Sequence, residues 1–321
     1  MKGSTPMSMR IQPLFPLSYL QPSSIFNSGN YTDIKPWIQK AIAEEEQKLS
    51  DQLWKAEPTA EYRYSERLRV ARFLSKYKDS NPLAKCIADR LELCERNNRC
   101  CSGACPECGR LLQRSFVRKS KRLICDAVHK DGHELVAITI IPAKPIIALG
   151  KLHALDIRDL QRRLKYALAK ADIDVAIGAF DFSFNEDKNG KYDPFWSVHF
   201  YVITSVANKA KIKKILKRLF ASDRRIPRPI KISAFDNSPR RRSYAFKIQF
   251  KRRAGVDAIN YNKADASTRK CRNTSRQRLR AAERLELYVY LDQIGFAERF
   301  IFRSVKPVIK SAKVKLKAID S

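Results

Sequence analysis

A chain of 321 residues with 44 % hydrophobic and 10 % aromatic residues holds enough apolar material for a packed core, which excludes wholesale disorder. Its 64 Lys and Arg against 33 Asp and Glu leave a formal charge of +31, pointing to a polyanionic partner, nucleic acid ahead of an anionic membrane surface. No apolar run approaches the roughly 20 residues of a membrane span, and no secretory signal is recognisable, so no membrane association and a cytoplasmic location are expected.

Residues 1–30, rich in Pro, Ser, Asn and Met, read as a disordered arm, and 31–85 as a helical region. There Trp37, Ile38, Ala41 and Ile42 recur at helical spacing, and Leu68, Val70, Ala71 and Leu74 give a second apolar face. The segment 86–125 concentrates cysteines. From 134 onward the pattern alternates: a Val/Ile/Thr-rich strand at 134–141, an amphipathic helix at 156–171 and a strand at 175–184. A turn at Asn189-Gly190 follows, then a returning strand at 196–204, a helix at 209–220 and a short strand at 229–235. That order, β-α-β-β-α-β, predicts an α+β chain with a ferredoxin-like antiparallel sheet over 126–255, helices on one face and the other face open. Residues 256–321 read as a helical C-terminal region, its helix at 275–294 capped by Gly295, then a strand at 299–308 and a frayed Lys-rich tail after Ser311.

Six of eight cysteines fall between Cys86 and Cys108, and in a basic chain without a secretory signal such clustering reads as metal ligation. Cys105-Pro-Glu-Cys108-Gly has the form of a zinc knuckle, with the glycine permitting the turn. Cys94 and Cys100 are the nearest second pair, with Cys101 and Cys86 as alternates, and a closed four-sulfur site would be structural. Cys125 and Cys271 read as ordinary core thiols.

Between 209 and 253 stand 17 basic residues against Asp223 and Asp236 alone. Continuing through Arg224, Arg225 and Arg228, the triplet Arg240, Arg241 and Arg242, and Lys251, Arg252 and Arg253, this tract predicts a continuous track for a phosphate backbone. In the strand Trp196-Ser-Val-His199-Phe-Tyr201, period 2 puts His199 and Tyr201 on one face. Tyr244-Ala-Phe-Lys247 lies within the basic tract. On a helix Tyr244 and Lys247 would share a face; on a strand Tyr244 would join Phe246, Ile248 and Phe250 as a core aromatic. The stretch around Tyr261 reads as a loop.

Taken in order, the cysteine run with Arg110, the strand Ala137-Ile-Thr-Ile-Ile, the strand from Gly178, the strand ending His199-Phe-Tyr201 and then Tyr244-Ala-Phe-Lys247 resemble plasmid rolling-circle replication initiators of the HUH endonuclease superfamily, over about 90–250. The resemblance implies a tyrosine that attacks a DNA phosphate beside a divalent metal held by two histidines. Here the His-apolar-His motif is His199-Phe200-Tyr201, so the implied Mg²⁺ or Mn²⁺ would rest on His199 with a carboxylate such as Asp181. Tyr244 is the implied nucleophile and Lys247 the phosphate-positioning cation. The expected function is that of an initiator nicking single-stranded DNA, as at a plasmid origin. The alternative is a non-catalytic zinc-containing DNA- or RNA-binding protein on the same scaffold, and a weaker third reading is a basic ribosome-associated protein.

Overall fold

The computed structural model describes residues 34–48, 52–55, 57–129, 132–261, 268–311 and 313–319. The expected arm at 1–30 lies outside them. Helices α1 (Pro36–Glu46), α2 (Ala60–Ser75), α3 (Pro82–Glu92) and α4 (Pro106–Leu123) lead the chain. Their starts are written locally: Thr59 accepts from the Tyr62 amide and Asn81 from that of Ala84, while Pro36, Pro82 and Pro106 occupy first helical turns. Next come β1 (Glu134–Ile140), α5 (Ile157–Lys170), β2 (Ala176–Asp187), β3 (Phe195–Val206), α6 (Lys209–Leu219), β4 (Ile230–Ala234) and α7 (Pro239–Ala245). The chain continues through β5 (Lys251–Tyr261), β6 (Thr268–Gln277), α8 (Ala281–Ile294), β7 (Phe300–Arg303), β8 (Val305–Lys310) and β9 (Lys313–Ala318).

Seven strands make one curled, mostly antiparallel sheet in the order β4-β1-β3-β2-β5-β6. The far edge of β2 is shared. Its residues 183–187 pair with β5 in parallel, and its residues 176–179 pair with β7 antiparallel. The Asn189-Gly190 turn joins β2 to β3 with Gly190 at φ +69°, as expected of a hairpin.

Every residue of β3 is buried, so both faces of the central sheet are covered. On one face Val136, Ile138, Phe180, Val198 and Phe200 meet Leu160 and Leu164 of α5 and Ile212 and Leu216 of α6. On the other, Ala137, Ala179, Tyr201 and Ile203 meet Leu112 and Phe116 of α4 and Phe246 just after α7. The expected open face is therefore occupied. Phe116 is the hub of that cover, its ring 4.2 Å from Phe300, 4.7 Å from Phe246 and 6.0 Å from Trp37 of α1.

The C-terminal region also departs from expectation. Residues 275–277 belong to β6, and the helix starts only at Ala281, where the Glu283 carboxylate accepts from the Arg280 amide. Tyr261 closes strand β5 instead of lying in a loop. The lysines after Ser311 form β9, because Val314 and β8's Val305 supply buried anchors for a hairpin. No helix of the described residues is long and apolar enough to cross a membrane.

Candidate metal centre and nucleic-acid interface

Cys94 follows α3 directly, Cys100 lies beyond a tight turn at 95–98, and Cys105 and Cys108 sit at the start of α4. Their four sulfurs lie within 4.8 Å of one another, close enough to hold a metal ion, and this is the one such His/Cys/Asp/Glu group among the described residues. The Sγ atoms of Cys94 and Cys108 are 3.6 Å apart, those of Cys100 and Cys108 3.7 Å, and those of Cys94 and Cys105 3.9 Å. Burial pushes the Cys105 thiol up, and the neighbouring thiols, Cys100 first, push Cys108 up, whereas Cys94 is drawn far down by the S–H groups around it. Four sulfurs this close cannot all ionise without a cation between them.

The turn chemistry differs from a knuckle. Cys105 caps α4, accepting from the Cys108 amide at 3.4 Å, and Gly109 lies within the helix. Gly109 instead permits a close approach: a Cβ there would stand 3.2 Å from Ile248 Cδ1. Around the centre Arg99 reaches Glu46 of α1 and Glu107 of α4, the latter also held by Arg67 of α2 at 2.9 Å. Three helices are thus tied to the cysteine loop. Of the remaining thiols, Cys101 is 5 % exposed, while Cys86 and Cys125 are exposed; the core reading of Cys125 is wrong, since it faces out beyond α4. The side chain of Cys271 is outside the described set.

The second cluster lies on the sheet face toward α4 and α7. Asp181 and His199 are direct cross-strand partners on β2 and β3. His199 is 4 % exposed, and its Nε2 lies 3.0 Å from Ser183 Oγ and 2.9 Å from Ser197 Oγ. Asn185 extends this polar ladder, donating to Ser197 Oγ at 2.7 Å. Burial, with Arg253 and Lys247 nearby, holds the imidazole well below its usual range and therefore neutral. Asp181 accepts an ion pair from Lys247. Tyr201 packs edge-on against Tyr244, ring centroids 5.0 Å apart, and burial pushes the Tyr201 phenol up to about 12.

The ammonium of Lys247 already occupies one Asp181 oxygen, and Nε2 of His199 is engaged by two hydroxyls. Beside the Asp181–Lys247 pair one acceptor is left over: Asp181 Oδ1 is buried without a hydrogen-bond partner among the described residues.

Tyr244 is 43 % exposed, which removes the core-aromatic alternative. It lies on α7, whose outer face also carries exposed Arg240 and Arg241, four and three residues earlier. Lys247 stands just past the helix end, its Nζ 5.8 Å from the Tyr244 ring centre. Arg242 turns inward: 4 % exposed, it donates to the Val117 carbonyl of α4 at 2.9 Å and to Asn237. Gln113 of α4 donates to the Ser243 carbonyl at 2.6 Å, so α4 carries α7.

The remaining basic residues are scattered rather than tracked. Arg225 is clasped by Asp223, and Arg252 by Glu186 and Gln277. Arg224, Arg228 and Lys251 are exposed, and Arg253 is half-buried near His199. The linear tract 209–253 divides, because α6 packs on one face of the sheet and α7 on the other. Sequence reading missed Ser197 and the pairing of Lys247 with Asp181. The parity of Ser197 with His199 would have found the first; the second joins positions 66 apart. No protein-family model, curated protein or solved structure matches the chain.

Proposed function

We propose that this protein binds single-stranded DNA on the outer face of α7, on a scaffold held by a structural zinc ion in the four-cysteine centre. The observation that carries this reading is Tyr244, exposed on one helical face with Arg240 and Arg241 and followed by Lys247. An aromatic ring flanked by cations is what a flexible strand uses: a base stacks and the phosphates are neutralised. The zinc assignment rests on four cysteine sulfurs within 4.8 Å of one another, three of the pairs 3.6 to 3.9 Å apart. The unit β1-α5-β2-β3-α6-β4, with neighbours in the order β4-β1-β3-β2, we read as the ferredoxin-like split arrangement, in keeping with kinship to the rolling-circle initiators.

The test is anisotropy of a labelled 20-mer single strand. Tyr244→Ala should weaken binding about tenfold, at the stacking worth of ~1–3 kcal/mol per base. Unchanged binding by both Tyr244→Ala and the Arg240→Gln, Arg241→Gln double variant refutes the reading. Strand cleavage is the second reading, favoured by the same exposed phenol beside an ammonium. Tyr244 Oη would bond to phosphorus as the bond to the 3′-oxygen breaks, the phenolic proton passing to that oxygen. A covalent adduct that disappears in Tyr244→Phe, sought with EDTA and with Mn²⁺, identifies it.

A further inference from the structure

The structure assigns a second nucleic-acid surface, for the backbone of duplex DNA, to the paired helices α5 and α6 on the opposite side of the sheet from Tyr244. It deepens the reading of the protein as DNA-binding, and rests on separate residues. Helix α6 carries six basic residues and no acidic one; α5 carries five against Asp159. Their inward faces are spent on the sheet through Leu160, Leu164, Ile212 and Leu216, which forces the charges outward. Lys213, Lys214, Lys217 and Arg218 are all exposed, as are Arg163 and Lys165 across the helix pair. Exposed Arg224 and Arg228 follow in the segment that joins α6 to β4. Partial neutralisation falls on α5 and on the first turn of α6: Arg158 meets Glu298 and Arg162 meets Asp159, each at 3.2 Å, Lys211 meets Asp172 at 3.7 Å and Lys209 meets Glu134, leaving Lys213, Lys214, Lys217 and Arg218 outside these pairs.

Charge and shape favour a duplex over a single strand. The two helices, 14 and 11 residues long, present cations side by side over roughly 20 Å. A duplex offers one phosphate per ~1.7 Å of axis on two parallel tracks, which matches such a plate. A single strand would need stacking platforms, and α6 offers none, its exposed large apolar side chain being Leu219; the exposed ring of the pair, Tyr166, stands on α5 beside Lys170. The same scarcity argues against insertion into a lipid surface.

The experiment compares the full chain with a Lys213→Gln, Lys214→Gln, Lys217→Gln, Arg218→Gln variant. The ligands are a 20-bp duplex, a 20-mer single strand and anionic phosphatidylserine vesicles, across a salt series. Duplex affinity should fall at least tenfold at 0.1 M salt and the log–log salt slope should shrink by about 3, at ~0.9 per phosphate contact. Single-strand affinity should hold within twofold. An all-lysine face, Arg218→Lys, should keep duplex binding, separating charge from folding. An unchanged duplex slope, equal weakening of both nucleic acids, or binding of vesicles without duplex overturns the inference. If single strands fail to bind while the duplex responds to α6, the surface stands and the α7 reading falls.

Discussion

The cysteine centre makes a sharp quantitative demand. In a regular tetrahedron the edge is about 1.63 times the centre-to-corner distance, so sulfurs 3.6, 3.7 and 3.9 Å apart call for arms of about 2.3 Å, the zinc–thiolate length. Protein purified without chelator should carry about one zinc per chain by plasma mass spectrometry, with a sulfur shell at ~2.3 Å in X-ray absorption. Structural zinc contributes on the order of 10 kcal/mol in small domains, as much as the whole ~5–15 kcal/mol stability of a folded domain. Chelation, or Cys108→Ser, should therefore unfold the start of α4 and release α7, which hangs from α4 through Arg242 and Gln113. Cys86→Ser, at an exposed thiol outside the group, should leave metal content unchanged. A metal-free protein with the same melting profile as the loaded one would refute the assignment, as would a sulfur shell of fewer than three atoms.

Two further outcomes follow from the sheet. His199 has its folded pKa depressed by burial, so below the unfolded value of ~6.5 the unfolded chain binds a proton that the folded chain refuses. Stability should thus fall as pH drops from about 6.5, with a slope of up to ~1.4 kcal/mol per pH unit from this residue. Urea melts of His199→Asn should lose that component, and an identical slope in the variant would show that His199 is not its source. Gly178 is the other site: a Cβ there would stand 1.9 Å from the Tyr201 carbonyl oxygen on the neighbouring strand. Gly178→Ala should destabilise by at least ~2 kcal/mol in denaturant melts; a neutral result would mean β2 and β3 are not paired in this register.

What could be read from the sequence is what is local or periodic. The four cysteines lie within 15 positions, and the order of strands and helices from 134 to 234 follows from turn signals and period. The partner of Asp181 was illegible, because Lys247 reaches it from a segment beyond two helices and two strands. Arg242 looked like its neighbours Arg240 and Arg241, yet a seven-residue helix turns one of three consecutive arginines inward. The cover over the sheet's second face was missed for a similar reason: it comes from α4 and from Trp37, Phe300 and Phe302, whose convergence is tertiary. The strands β5 and β6 run through Gly, Asn and Arg, residues that propensity assigns elsewhere.

The β8–β9 hairpin has a bearing on how the chain is made. The Val314 amide donates to the Glu44 carboxylate at 2.5 Å, joining positions 270 apart, and Val305 and Val314 share the core that holds Ile38 and Ile42 of α1. On the ribosome α1 can meet α4 early, through Trp37 and Phe116, but the part of its cover that Phe300, Phe302 and the hairpin supply comes last. At ~5–20 residues per second, α1 waits on the order of ten seconds or more for that surface. Contacts this distant close late and slow folding. Until then the side of Trp37 that meets Phe300 and Phe302 stays uncovered, so α1 and α4 hold a half-finished core while the rest of the chain is made.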